Sequence, residues 1–311
     1  MIYDLIIIGG GPAAMSAGIY AARKKLKTLL IAKTLGGQLT EAWQIENYLG
    51  FESIPGLELS QKFINHLKKF SADIEIKEGE SATHINQLED KIFEITTEIS
   101  KYLAKTIIVA TGASPRKLNI PGEEEFTGKG VVFCATCDAP MFSKKTVAVV
   151  GSGNSGLNAA LQLTKYAAKI YLINKYPDFS KGDAAYAEKV KASPFIQIIN
   201  NSLVKEIKGD KFVKSIIFEH IGAKQTEEIN VEGVFVEIGA APSLHFLGSL
   251  VKYNEKGSII IKQENNMASC PGIFAAGDAT NLPYKQIIIA AGEGAKAALG
   301  AYDYLTKTAN S

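Results

Sequence analysis

Residues 5–14 read Leu-Ile-Ile-Ile-Gly-Gly-Gly-Pro-Ala-Ala, an apolar run that passes directly into three glycines and a proline. The apolar stretch at 3–8 is typical of a buried parallel strand, and residues 13–25 have the pattern of a helix. A second apolar stretch at 28–31 predicts the next strand. The N-terminal sequence therefore predicts a β-α-β unit that begins near residue 2.

The turn of this unit, G-G-G-P-A-A at 9–14, matches the dinucleotide-binding pattern G-x-G-x-x-A. Gly9 permits the tight turn, Gly11 lets the backbone approach a pyrophosphate, and Ala14 is small enough for close packing of the helix. The phosphates then lie at the helix N-terminus. A glycine turn without a ligand is the alternative. The acidic residue expected about 20 residues further on is missing, since Ala32 and Lys33 occupy its place, so the ribose must be recognised elsewhere.

A second glycine pattern, G-S-G-N-S-G at 151–156, is a complete G-x-G-x-x-G. It lies between a predicted strand at 146–150 and a predicted helix at 157–166, and another strand follows at 169–173. Two such patterns in one chain indicate two dinucleotides, and a flavin with a nicotinamide is the simplest combination. Each pattern can nucleate its own doubly wound sheet.

Segments that contain proline and glycine suggest the domain boundaries. A strand predicted at 107–112 is followed by Ser114-Pro115, and one at 234–238 is followed by G-A-A-P at 239–242. A last strand at 272–278 precedes a helix at 290–304. We therefore expect an α/β fold with two Rossmann-like dinucleotide-binding domains, the second inserted into the first. The first domain would comprise residues 1–114 and 244–311, and the second residues 115–243.

Composition and charge exclude several classes of protein. The 311 residues carry a net charge of +2, from 34 basic and 32 acidic side chains, without long blocks of like charge. A role on nucleic acid or on a membrane surface therefore has no electrostatic support. Residues 5–22 are uncharged, but the glycines at 9–11 interrupt any spanning helix, and the basic residues follow this stretch rather than precede it. We expect a cytoplasmic protein without a cleaved leader.

Two of the three cysteines, Cys134 and Cys137, are separated by two residues and followed by Asp138. This spacing is typical of a redox dithiol or of half a metal site. Zinc needs four ligands, and the four histidines are scattered along the chain, so we favour the dithiol and predict no metal. Burial as inert thiols is the alternative, and it leaves the pairing unexplained. We expect Cys270 to be a structural thiol and Trp43 a packing residue.

Several motifs resemble those of the low-molecular-weight thioredoxin reductases, in order and spacing along almost the whole chain. They are G-G-Q-L-T at 36–40, I-E-N-Y-L-G-F at 45–51, C-A-T-C-D at 134–138 and Gly277-Asp278. The segments Y-K-Q-I-I-I at 284–289 and G-E-G-A-K-A at 292–297 are especially similar to the reductase portion of the flavoprotein component of alkyl hydroperoxide reductase.

The resemblance implies a homodimeric, FAD-dependent disulfide reductase. It would pass electrons from NADPH or NADH through FAD and the dithiol to thioredoxin or a similar small dithiol protein. Cys134 would attack the partner disulfide, Cys137 would face the flavin, and Asp138 would move the thiol protons. The implied FAD-binding residues are Gly9, Gly11, Pro12, Ala13, Ala14, Gly37, Gln38, Asn47, Thr111, Gly112, Gly277, Asp278, Gln286 and Ile287. Those implied for the nicotinamide nucleotide are Gly151, Gly153, Asn154, Ser155, Gly156, Asn174 and Lys175.

The electron donor is the point at which the sequence departs from these relatives. The segment after the strand at 169–173 offers Asn174, Lys175 and Lys181, and no arginine follows Arg116. Lysine meets a 2′-phosphate as a point charge, without the planar fork of arginine. We therefore predict weak discrimination between NADPH and NADH, and poor affinity for at least one of them. Three alternatives stay open: a non-nicotinamide donor such as ferredoxin, supply of a peroxide-reducing system through a small dithiol carrier, and a sensory flavoprotein.

Overall fold

The chain divides into two compact units. Unit 1 comprises residues 1–114 and 241–311, and unit 2 comprises residues 115–240. The computed structural model describes residues 1–42, 45–223 and 225–309, so the prediction for Trp43 lies outside the described residues. None of the helices in these ranges has the length and apolar composition of a membrane span.

The regular elements are numbered in chain order. The strands are β1 Ile2–Ile8, β2 Thr28–Ala32, β3 Ile74–Glu78, β4 Ala82–Gln87, β5 Phe93–Thr97, β6 Lys101–Val109, β7 Ser114–Pro115, β8 Val131–Val132, β9 Thr146–Val150, β10 Lys169–Ile173, β11 Ile196–Ile199, β12 Ser202–Gly209, β13 Val213–His220, β14 Thr226–Asn230, β15 Gly233–Val236, β16 Ala240–Ala241 and β17 Ile273–Ala275. The α-helices are α1 Pro12–Arg23, α2 Gly56–Lys68, α3 Ala135–Asp138, α4 Asn154–Leu163, α5 Ala184–Ala192 and α6 Ile287–Ala309.

Unit 1 is built on a sheet in the order β3-β2-β1-β6-β5-β4, with β17 also paired to β6. β3, β2, β1, β6 and β17 run parallel, and β5 and β4 continue the sheet in antiparallel fashion. Leu5, Ile6 and Ile7 of β1 are fully buried, which suits a strand covered on both faces. Ile6 packs into one apolar cluster and Leu5 and Ile7 into the other, as the two-residue period of a strand requires.

Helices α1 and α6 pack against each other on one face of this sheet. Their contact is lined by small residues, among them Ala17 and Ala21 of α1 and Ala297 and Ala301 of α6. A side chain at Gly294 would collide with the backbone of Ala13, so the closeness of the two helices depends on that glycine.

We expect Gly294→Ala to lower the free energy of unfolding by about 1–3 kcal/mol, because the added methyl group overpacks this helix contact. Gly292→Ala is the matched control in the same helix. A Cβ at Gly292 would meet no described atom within 4 Å, and alanine favours a helix by about 1 kcal/mol over glycine. Urea unfolding of both variants measures the difference, and equal stabilities would contradict the close contact.

Unit 2 contains a fully parallel five-stranded sheet in the order β11-β10-β9-β15-β8. Alternate residues of β9 separate its two faces. Val147 and Val149 share an apolar cluster with α4, whereas Ala148 and Val150 share one with the antiparallel sheet β12-β13-β14. The structure thus shows the α/β fold that the sequence predicts, with a doubly wound sheet inserted between two segments of unit 1.

Some predicted bounds agree with the structure and two others differ from it. The strands predicted at 146–150 and 169–173 have these bounds in β9 and β10. Helix α4 begins at Asn154 rather than at 157, because the glycine turn itself passes into the first helical turn. The strand predicted at 272–278 ends at Ala275, where the chain enters a 3₁₀ helix at Gly277–Ala279. The short strands β7 and β16, which lie at the two boundaries between the units, pair as a two-stranded sheet.

Candidate functional site

The glycine turn of unit 1 leaves room for a ligand at the N-terminus of α1. Gly9 has a φ of +130°, and a side chain there would collide with the carbonyl group of Ala110. Gly11 is the N-cap residue of α1, and a Cβ at this position would meet no described atom within 4 Å. The N-terminus of α1 therefore has open space beside Gly11, which is the arrangement that admits a phosphate group.

Other amide and hydroxyl groups predicted to bind the same ligand lie in unit 1. Thr111 follows β6, and its buried hydroxyl group has no hydrogen-bond partner among the described residues. Gln38 donates from Nε2 to the carbonyl of Ala113 at 2.6 Å, and Asn47 donates from Nδ2 to Oε1 of Gln286 at 3.1 Å. This hydrogen bond links Asn47 to a residue that lies 239 positions later in the chain.

The other residues predicted for the first dinucleotide are distributed around the same elements. Pro12, Ala13 and Ala14 form the first turn of α1, Gly37 approaches the backbone of Gly11, Gly112 follows Thr111, Gly277 begins the 3₁₀ helix after β17, and Ile287 begins α6.

Two charged residues that the sequence analysis did not select lie near Asp278. The carboxylate of Glu293 accepts the backbone N–H of Gly277 at 2.7 Å, and Nζ of Lys285 donates to the carbonyl of Thr280 at 2.7 Å. Burial raises the pKa of Asp278, and the positive charge of Lys285 opposes this shift. Both residues belong to the C-terminal motifs that carry the family resemblance, and this was the signal that could have identified them.

Unit 2 repeats the arrangement at its own glycine turn. Gly151 has a φ of +127°, and a side chain there would collide with the backbone carbonyl of Glu237, just after β15. Gly153 is the N-cap residue of α4, and a Cβ on it would meet no described atom within 4 Å. In the first turn of α4, Asn154 and Ser155 are exposed and Gly156 packs against the carbonyl of Gly151.

Asn174 lies just after β10 and is fully buried. Its Oδ1 accepts from the hydroxyl of Ser152 and the N–H of Tyr176, and its Nδ2 donates to the carbonyl of Asp178 and to Oδ1 of Asn200. Four hydrogen bonds are the full capacity of an amide group. Asn174 therefore fastens the loop after β10 to the glycine turn, and contact with a ribose requires it to release one of these partners. Lys175 is exposed beside it.

A disulfide joins Cys134 and Cys137, whose Cα atoms are 5.4 Å apart. This confirms the pairing predicted from their spacing. Cys134 is the N-cap residue of α3, and its Sγ accepts the backbone N–H of Cys137 at 3.2 Å. Both cysteines are partly exposed, so the bond is within reach of a reactant. Cys270 is a free, buried cysteine in unit 1, and burial raises the pKa of its thiol, which suits a structural role.

Two carboxyl groups lie beside the disulfide. Asp138 is buried directly after Cys137, and burial raises its pKa to about 7 from an ordinary value of 3.8. Glu237, which the sequence analysis did not select, accepts the backbone N–H of Ala135 at 3.2 Å. Burial and the charge of Asp138 raise the pKa of Glu237 to about 7, and the hydrogen bond from Ala135 opposes this shift. The sequence signal was an acidic residue directly after an apolar strand.

The raised pKa of Asp138 predicts how the free energy of unfolding depends on pH. Its contribution to stability is fully present below about pH 4 and is lost as the pH rises through about 7, because the unfolded chain ionises first. Asp138→Asn should therefore gain stability relative to the wild type between pH 4 and 7, by up to about 1.4 kcal/mol per pH unit, and keep that gain at higher pH. Urea unfolding at pH 4.5 and 7.5 measures this, and parallel pH dependences of the two proteins would contradict it.

Known proteins match the chain over almost its whole length. A sequence model described as pyridine nucleotide-disulphide oxidoreductase matches residues 3–297. The F subunit of alkyl hydroperoxide reductase in Staphylococcus epidermidis is 40% identical over 306 residues, which are 98% of this chain and 59% of that protein. Its counterpart in Staphylococcus aureus gives the same figures. The chain thus spans about 59% of the length of the curated relatives it matches.

Solved structures show the same relationship. The thioredoxin reductase of Streptococcus pyogenes is 36% identical and superposes with a TM-score of 0.91, over 98% of this chain and 99% of that chain. The resemblance predicted from the motifs is therefore confirmed, as is an α/β fold with two dinucleotide-binding domains.

Proposed function

Because the chain belongs to the pyridine nucleotide-disulphide oxidoreductase family, we propose that it is an FAD-dependent disulfide reductase of the thioredoxin reductase type. It uses NADPH or NADH to reduce the disulfide between Cys134 and Cys137, which then reduces a disulfide of a small protein. The observation that carries this proposal is the composition of unit 2. One unit holds a partly exposed disulfide, a buried carboxyl group next to it and a glycine turn open to a ligand.

The residues of unit 1 fit FAD. The open space at Gly11 and the N-terminus of α1 suit its pyrophosphate. The hydroxyl of Thr111, which has no partner among the described residues, offers a further hydrogen bond. Asp278 offers an acceptor for sugar hydroxyl groups, and Asn47 and Gln286 offer amide groups for the ring system. When bound, FAD accepts a hydride and delivers two electrons to a disulfide.

The residues of unit 2 fit the pyrophosphate of a nicotinamide nucleotide better than its ribose. Gly151 and Gly153 leave the N-terminus of α4 open to the pyrophosphate. The Asn174 amide is fully engaged within the protein, so Lys175 and Lys181 are the charged groups offered on the ribose side. Since lysine lacks the bidentate geometry of arginine, the proposal includes weak discrimination between NADPH and NADH.

The reduced dithiol passes two electrons to the disulfide of the partner protein by thiol–disulfide exchange. One thiolate attacks a partner sulfur and forms a mixed disulfide, and the second cysteine then attacks that bond and releases the reduced partner. We assign the first attack to Cys134 and the second to Cys137, as the family resemblance implies. Asp138 holds a proton near neutral pH because burial disfavours its charge, so it can protonate the departing thiolate.

Thioredoxin or a similar small dithiol protein is the proposed partner, since the solved relatives are named thioredoxin reductases. The curated relatives at 40% identity are named as the F subunit of alkyl hydroperoxide reductase. Supply of a peroxide-reducing system through a small dithiol carrier is therefore the second candidate function. A homodimer belongs to the same proposal, because the resemblance to thioredoxin reductases implies it, and so does the cytoplasmic location that the sequence analysis predicts.

Anaerobic titration of the purified protein with NADPH, NADH and reduced ferredoxin tests the proposal through the flavin absorbance. We expect a yellow protein whose flavin is reduced by both nicotinamide nucleotides, at comparable rates when the reduction is followed by stopped flow. A preference for NADPH above about a hundredfold, roughly 2.8 kcal/mol, would show that the lysines suffice for discrimination. Reduction by ferredoxin alone would remove the nicotinamide nucleotide from the proposal, and a protein that takes up no FAD would refute it.

Insulin reduction distinguishes the partners. We expect NAD(P)H-dependent reduction of insulin when thioredoxin is added. Peroxide reduction that requires a different small dithiol carrier, without activity on thioredoxin, would favour the second candidate.

A further inference from the structure

Glu237 is an acidic residue that neither the glycine turn nor the dithiol motif accounts for. It follows β15 directly, and its backbone carbonyl abuts Gly151 of the glycine turn. Its Oε1 accepts the backbone N–H of Ala135 at 3.2 Å, in the first turn of α3. Asp138 ends the same short helix, so one helical turn carries the disulfide, Asp138 and the N–H that Glu237 accepts.

The surroundings of Glu237 contain one other charged group among the described contacts. β15 is apolar, and the glycine turn brings Gly151 and Ser152, which carry no charge. Helix α3 brings Asp138, whose charge acts on Glu237, and the two cysteines next to it are joined in the disulfide. Asp138 is buried and Glu237 is partly buried, and two like charges in such a place disfavour each other. Loss of the first proton from the pair therefore hinders loss of the second.

We propose that Asp138 and Glu237 hold one proton between them at neutral pH, and that Glu237 is a positioning residue that keeps Asp138 ready to protonate a cysteine of the dithiol. The role in turnover rests on the proposed function. The sharing of the proton does not, because it depends only on groups within unit 2.

The shared proton enters the balance of disulfide reduction. The reaction breaks the bond between Cys134 and Cys137, consumes two electrons and takes up two protons when both cysteines end as thiols. In the proposed function a bound, reduced flavin would supply the electrons and one proton, and dithiothreitol supplies the electrons in the test below. The carboxyl pair gives the second proton to the thiolate that forms, and it regains a proton from solvent.

The test measures thiolate formation without any use of flavin chemistry. The full-length protein is reduced with dithiothreitol, freed of reductant and treated with iodoacetamide, and modification of Cys134 and Cys137 is followed by peptide mass spectrometry between pH 6 and 9. Wild type, Glu237→Gln, Asp138→Asn and the double variant are compared. Glutamine keeps an oxygen that can accept the N–H of Ala135, so Glu237→Gln removes the charge and retains the hydrogen bond.

We expect a different pattern at low and high pH. Near pH 7 the pair carries one negative charge, so either single variant should react within about twofold of the wild type, whereas the double variant should react at least about fivefold faster. At pH 8.5 the wild-type pair carries two charges, so each single variant should already react several-fold faster. Glu232→Gln is the matched control. Glu232 precedes β15 as Glu237 follows it, is exposed, and accepts the backbone N–H of Thr146 at 3.2 Å, so its pH profile should coincide with the wild type.

Two results would overturn the inference. One is a Glu237→Gln profile that coincides with the wild type at every pH. The other is that the effects of the two single variants add at pH 7, which would show two independent carboxyl groups. If Glu237→Gln does not fold, Asp138→Asn provides the reciprocal test. In that variant the pH profile of cysteine modification must show the ionisation of one carboxyl group, that of Glu237. A protein that accepts no electrons from NADPH or NADH still yields these rates, so failure of the proposed function is distinguishable.

Discussion

A protein with serine in place of Cys134 is expected to lose about a thousandfold or more of its disulfide reductase turnover, and Cys137→Ser is expected to do the same. Thiol–disulfide exchange needs one thiolate to attack and a second to resolve the mixed disulfide, and a hydroxyl group replaces neither at neutral pH. Steady-state reduction of a thioredoxin disulfide measures the loss. In the same samples, flavin reduction by NAD(P)H should persist, because that step does not need the disulfide.

Cys270→Ala is the control for this pair of variants. Cys270 is the free, buried cysteine of unit 1, so its replacement removes a thiol without touching the disulfide. We expect near wild-type turnover and a modest loss of stability. Turnover retained by Cys134→Ser would show that the disulfide takes no part in the reaction. Turnover lost equally in Cys270→Ala would show that the loss is not specific to the cysteines of the disulfide.

The second large effect is expected from one added side chain in each glycine turn. Gly11→Val should give a protein with at least about a hundredfold weaker FAD binding, and Gly153→Val should keep FAD and lose nicotinamide nucleotide binding to a similar extent. Both glycines are N-cap residues with extended backbone, which valine adopts without strain, and a Cβ at either would meet no described atom within 4 Å. The added Cβ therefore enters the space assigned to a pyrophosphate.

Each of these variants is the control of the other. Flavin absorbance of the purified proteins and equilibrium titration with NADPH and NADH measure the two affinities, and circular dichroism verifies the fold. Loss of FAD from Gly153→Val with its retention in Gly11→Val would reverse the assignment of the two turns. Unchanged affinities in both would show that neither turn holds a pyrophosphate.

The sequence was informative where a local pattern has one structural solution. The apolar run of β1 enters Gly9, and the apolar run of β9 enters Gly151, and in both places the positive φ is one that a glycine adopts easily. The spacing of Cys134 and Cys137 likewise allows a disulfide within one helical turn. These features could be predicted because each depends on residues that are neighbours in the chain.

The unpredicted features depend on contacts between distant segments. Glu237 reaches Ala135 across 102 positions, and the contact exists only because the chain returns through β15 to lie beside β9. Asn174 follows its strand as a ribose ligand would, and the sequence cannot show that Ser152 and Asn200 occupy its amide. A polar residue at a strand end looks the same in sequence whether it binds a ligand or a neighbouring loop.

The interruption of unit 1 by unit 2 has a consequence for synthesis on the ribosome. All residues of unit 2 are made before β17 and α6, although unit 1 needs β17 beside β6 and α6 against α1. The segment with the two cysteines can therefore fold while the earlier part of the chain still awaits its last strand and helix. A nascent chain becomes able to form its disulfide before it can complete the domain that carries the first glycine turn.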